Sequence, residues 1–129
     1  MTYLLDVNAL VALGLADHEF HARVAAWIGN EHSRELATCP ITELGFVRVL
    51  AQASAYGLSI AQARSLLLRL KKAAEFTFIA DDHGASHLPA WVKTANQTTD
   101  GHLARLAGAN GAVLATLDRK IPGSLLIPE

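Results

Sequence analysis

Apolar positions along this chain follow two periods. Short, largely apolar runs at Tyr3-Leu4-Leu5, Glu35-Leu36-Ala37-Thr38, Phe76-Thr77-Phe78-Ile79, 112–117 and 124–127 predict strands buried on both faces. Between them the spacing turns helical. A short helix follows the first strand, with Asn8 as N-cap and Ala9, Leu10, Val11, Ala12 and Leu13 inside it. A second covers about 18–28, where Phe20, Val24, Trp27 and Ile28 repeat, with Asp17 as N-cap. Pro40 fits the first position of a helix over about 40–54 that carries Glu43 in its first turn. Ser59 and Gln62 form a capping box for a helix over about 60–74, with Leu66, Leu67 and Leu70 facing inward. Thr98 or Thr99 caps a last helix over about 100–108, ended by Gly108 or Gly111, and 81–97 reads as a polar, irregular stretch. Strands alternating with helices predict a single α/β domain over residues 1–129, built on a parallel sheet of about five strands.

Four acids interrupt this pattern beside apolar stretches: Asp6, Glu43, Asp100 and Asp118. Asp6 and Asp118 end predicted strands, and Glu43 and Asp100 begin predicted helices. Those positions share one edge of a parallel sheet, the edge where such folds place their sites. Two carboxylates ~4 Å apart repel by roughly 4 kcal/mol at an effective dielectric of about 20. Such a group either holds protons more tightly or binds a cation. Oxygen donors without thiolate suit Mg²⁺ or Mn²⁺ better than Zn²⁺. A divalent ion of that kind can acidify water for attack on phosphorus and neutralise phosphate oxygens. Asn8 and Thr116, each two residues from an aspartate, are candidates to orient ligands or water.

Composition narrows the partners. Hydrophobic residues make up 51% of the 129 and charged residues 18%, so some apolar surface is expected to meet a partner. Lys and Arg number 11 against 12 Asp and Glu, so any basic, nucleic-acid-binding surface must be local. Cys39 is the sole cysteine, which rules out an internal disulfide and suits a small buried residue before a helix. The N-terminus carries no signal-peptide pattern and no stretch is long and apolar enough to span a membrane, so a cytoplasmic protein is expected.

Four segments then resemble, in order, the motifs of the PIN-domain family, and most of all its VapC-type toxins of bacterial toxin–antitoxin systems. They are Leu5-Asp6-Val7-Asn8-Ala9-Leu10, the segment from Thr42-Glu43 to Leu50, the segment from Thr99-Asp100 to Ala107, and Leu114-Ala115-Thr116-Leu117-Asp118-Arg119. The resemblance implies a Rossmann-like α/β/α sandwich and an endoribonuclease dependent on Mg²⁺ or Mn²⁺. It maps Asp6, Glu43, Asp100 and Asp118 onto the catalytic acids, with Asp6, Asp100 and Asp118 as metal ligands and Asn8 and Thr116 as supporting residues. It also implies a homodimer, silenced by a VapB-type antitoxin through which alone it reaches DNA. Gly101, inside a helix start where Ala is common, is a departure that costs at most ~1 kcal/mol of helix propensity.

Other residues carry weaker signals. Arg48, one turn beyond Glu43, could pair with an acid or contact RNA, and His102 could touch phosphate. Asp81, Asp82, His83 and His87 are metal-ligand types in one stretch, but a polar surface loop is the better reading. Arg64, Arg69, Lys71 and Lys72 could bind RNA phosphates, but an ordinary solvated face, for Arg64 and Arg69, is the better reading. Trp27, Trp91 and Phe46 are read as packing residues rather than base-stacking ones. Two other functions remain open: an Asp-nucleophile phosphotransfer or receiver-type domain, and a non-catalytic regulatory partner of an antitoxin.

Overall fold

The computed structural model describes residues 1–30, 34–118 and 120–129. Arg119, the last residue of the fourth motif, lies outside them. The continuous apolar runs become strands β1 (Thr2–Leu5), β2 (Glu35–Thr38), β3 (Thr77–Phe78), β4 (Ala112–Thr116) and β5 (Leu125–Leu126). They form one sheet in the order β3-β2-β1-β4-β5, parallel throughout. The helices are α1 (Val7–Gly14), α2 (His21–Asn30), α3 (Pro40–Gln52), α4 (Ile60–Ala73) and α5 (Thr98–Ala109).

Strand pleating sends alternate residues to opposite faces. Leu5 and Ala115 therefore join one core with Leu10, Trp27, Phe46 and Leu50, under α1 to α4. Leu4 and Leu114 join a second core with Leu103 and Leu106, under α5. The expected sandwich follows directly from this two-sided burial. Trp27 and Phe46 are core residues as expected, and Trp27 meets Tyr3 edge-on at 5.1 Å. Cys39 is wholly buried just before α3, which begins with Pro40 as predicted. The Ser59–Gln62 capping box opens α4.

Several helix ends differ from expectation. Asp6, not Asn8, caps α1, because its carboxylate accepts the Ala9 N–H. α2 starts at His21 rather than near residue 18, with Asp17 outside it. There the His18 ring accepts the Phe20 N–H and turns the chain before the helix begins, leaving Phe20 at the surface. α5 begins at Thr98, continuing from a 3₁₀ turn at Ala95–Gln97, so neither Thr98 nor Thr99 acts as its cap. The Thr98 hydroxyl instead donates back to the Ala95 carbonyl.

Strand β1 is the point where the chain order reverses, with β2 on one side and β4 on the other. In open parallel sheets the crevice beyond such a switch point is where ligands bind. Gly45 lets α3 close over α1 beside it, since a Cβ there would lie 2.5 Å from Val7 Cγ2.

Candidate active site

Asp6 leaves the end of β1 directly into α1, and its two carboxylate oxygens have separate partners. Oδ1 accepts the Ala9 N–H at 2.8 Å, and Oδ2 accepts the Thr116 hydroxyl at 2.5 Å. Thr116, wholly buried at the end of β4, also accepts the Asp118 N–H at 2.9 Å. One hydroxyl therefore ties together the ends of the two central strands. Asp118 then turns outward, and its Oδ1 accepts the Lys120 N–H.

Asp100 lies in the first turn of α5 and joins this group electrostatically. Burial pushes the Asp6 carboxyl above its ordinary value, against the hydrogen bonds from Thr116 and Ala9, and the charges of Asp100 and Asp118 push it further up. Asp100 is raised by burial and by Asp118. Three aspartates from three elements thus feel one another as like charges.

Glu43 stands apart from this trio. It starts α3 as predicted, but its Oε2 accepts the Thr38 hydroxyl and the Lys71 ammonium, each at 2.5 Å. Of the four expected acids, Glu43 is the one that an ammonium pairs among the described residues. Neither Thr38 nor Lys71 carried a sequence signal. Lys71 comes from α4, 28 residues away, where the sequence offered it only as one of four basic residues that could meet phosphate.

The donor set fits a hard divalent cation. It consists of carboxylates only, and Asp6 and Asp100 are both held at raised proton affinity by burial and by the charge of Asp118. Among the described residues no three His, Cys, Asp or Glu side chains are gathered into a ready cage. That is no obstacle for Mg²⁺, which takes one or two carboxylates, keeps several waters and leaves positions for phosphate.

A model of the family described as "PIN domain" matches residues 3–122. The chain belongs to the PIN-domain family. It is also similar to Ribonuclease VapC38 of Mycobacterium tuberculosis, 41% identical over 119 residues that cover 89% of this chain and 84% of that protein. Ribonuclease VapC39 of the same species is 36% identical over 130 residues, covering 96% and 94%. Among solved structures, PAE2754 from Pyrobaculum aerophilum superposes with a TM-score of 0.62 at 23% identity, covering 97% of this chain and 83% of that one. VapBC2 from Rickettsia felis, bound to a DNA fragment from its promoter, gives 0.58 at 17% identity, covering 97% and 96%.

The remaining predicted residues take varied places in this PIN domain. Asn8 is exposed and lines a surface cavity of about 540 Å³ with Leu117 and Asp118, within reach of the trio. Arg48 is exposed and lines a shallow groove with Leu44, Val47 and Ile60, with no acid among that groove's lining residues. His102 turns away from the site. Its Nε2 meets Asp81 Oδ2 at 2.5 Å, because two residues along a helix from Asp100 is about 200° around it.

The stretch expected to be a polar surface loop therefore contains an anchored residue. The Asp81 side chain is only 10% exposed. Burial alone raises its pKa, but hydrogen bonds from His102 and the His83 backbone, with the charges of both imidazoles, outweigh that and lower it. His83 stacks on His87 with ring centroids 4.4 Å apart.

Gly101 also has a reason absent from helix propensity. A Cβ there would lie 2.3 Å from Val92 Cγ2, so α5 reaches its position only with glycine at this contact.

Proposed function

We propose that this PIN domain is an endoribonuclease, the toxin of a toxin–antitoxin pair, and that it works with Mg²⁺ or Mn²⁺. What supports the reading is the match to the PIN-domain family together with the Thr116 hydroxyl that joins Asp6 to the Asp118 turn at the carboxyl ends of β1 and β4. Asp6, Asp100 and Asp118 are the residues to hold the ion, within one nuclease domain over residues 1–129. The ion supplies acidified water and charge neutralisation for hydrolysis of a phosphodiester.

The chain's own groups do the rest. Asp6 is preset by two hydrogen bonds, so its carboxylate needs little reorganisation on binding. Thr116 fixes Asp6 and the start of the Asp118 turn together. Asn8, exposed beside Asp118, is placed to meet substrate. Glu43 is paired with Lys71.

A VapB-type antitoxin is the natural silencing partner, and DNA is reached only through it. A homodimer fits the exposed Leu44, Ile60, Leu68 and Phe78, which leave an apolar face on α3, α4 and β3. Among the described residues no helix is long and apolar enough to cross a membrane, and a cytoplasmic setting suits an RNA substrate.

The test is incubation of antitoxin-free protein with total RNA, in Mg²⁺, in Mn²⁺ and in chelator, beside Asp6→Asn. Discrete metal-dependent fragments are expected, falling by about a thousandfold in the variant. Equal cleavage by the variant, with its fold verified by circular dichroism, would refute the assignment.

A further inference from the structure

We propose that Lys71 is the resident cation of this site: it fills the seat beside Glu43 that a second divalent ion would need, so the centre uses one exchangeable ion. The proposal rests on the metal-dependent reading above and deepens it.

The lysine is built into place. It lies in the last turn of α4, where a helix favours positive charge, and Glu43 lies in the first turn of α3, where a helix favours negative charge. The Lys71 carbonyl accepts the Phe76 N–H at 3.0 Å, across a turn in which Glu75 adopts φ 54°. That turn delivers β3, and Phe78 from β3 sets its ring 5.4 Å from the Lys71 ammonium. The ammonium is thus held between a carboxylate and an aromatic face. Its side chain is 24% exposed and that of Glu43 is 20% exposed. Thr38, wholly buried, donates to the same Glu43 oxygen.

Exclusion follows from distance. A Mg²⁺ ligated by Glu43 sits about 2.0–2.1 Å from a carboxylate oxygen. The ammonium already stands 2.5 Å from Oε2. An ion on that oxygen competes with Lys71 for the same lone pairs and is repelled by its charge. Among the described residues no lysine or arginine pairs with Asp6, Asp100 or Asp118, and Asp6 receives a hydroxyl and a backbone N–H. Lys71 is therefore a positioning residue that acts through Glu43, and the exchangeable ion is confined to the aspartates.

Counting Mn²⁺ on RNA-free protein, by calorimetry and by electron paramagnetic resonance, decides the matter. Wild type is expected to bind one ion per chain, Lys71→Gln two, and Lys71→Gln/Glu43→Gln one. Glu43→Gln alone, which does not depend on whether Lys71→Gln folds, should keep the single ion at unchanged affinity. Two ions on wild type, one ion on Lys71→Gln at wild-type affinity, or a weakening of about tenfold or more in Glu43→Gln each overturns the proposal. Binding of no Mn²⁺ by any form removes the metal reading itself, and the proposal with it.

Discussion

Two kinds of acid occur in this protein. Asp6 and Asp100 are buried against like charge, and both are pushed toward holding their protons. Asp81 is buried against a histidine and Glu43 against a lysine, and Asp81 is pushed the other way. All four are aspartate or glutamate within or beside apolar packing. What separates them is the partner: paired acids serve the fold, and crowded ones store repulsion that a cation can release. The difference teaches that burial of a carboxylate alone does not mark a site, whereas burial beside uncompensated carboxylates does.

That contrast makes removal of charge act with opposite signs. The largest effect on stability is expected at a paired acid. Asp81→Ala strips the charged partner from His102 and should cost about 1.5–3 kcal/mol in urea unfolding at neutral pH. Because the folded Asp81 value is depressed, its contribution is present above the unfolded value and lost as pH falls through the folded one. The deficit of the variant should therefore shrink in acid. A constant deficit from neutral to acidic pH would erase the distinction between the two kinds of acid.

Next comes the spacing that sets the crowded group. Gly101→Ala drives a methyl into Val92 and should cost about 1–3 kcal/mol, with Val92→Ala as a second change restoring part of it in the same unfolding assay. A neutral Gly101→Ala would mean that α5 is free to shift, and with it Asp100.

The smallest effect has the opposite sign. Asp6 and Asp100 have raised values in the folded chain, so the folded chain keeps protons that the unfolded chain has lost. Metal-free stability then falls as pH climbs from the ordinary carboxylate range through those folded values, and stays lower at neutral pH. Asp100→Asn should recover up to about 1 kcal/mol there, limited by solvent screening at a partly exposed residue. The gain should vanish below about pH 4, where both forms are uncharged, and Mn²⁺ should reverse it by favouring wild type. Destabilisation by Asp100→Asn in chelator would show that the trio is not crowded.

Much of the architecture was legible because its signals are local. Pro40 at the start of α3, the Ser59–Gln62 box and the two-sided apolar runs each act within a few residues, and they gave five strands and five helices with the acids at one sheet edge. Tertiary partners were not legible. Nothing near Lys71 in the chain announces Glu43, and nothing near Gly101 announces Val92. His102 was misplaced for an avoidable reason, since a separation of two on a helix points a side chain nearly the opposite way. Asp6 was misjudged as the residue before a cap because strand and helix meet there with no loop, and one side chain both ends β1 and caps α1.

The sheet's rim carries a last consequence. Its outer strands, β3 and β5, are two residues long each. Unpaired strand edges are templates for another chain's backbone, and very short ones offer little to copy. A protein with this rim has little tendency to recruit its own copies into cross-β aggregates, even at high concentration.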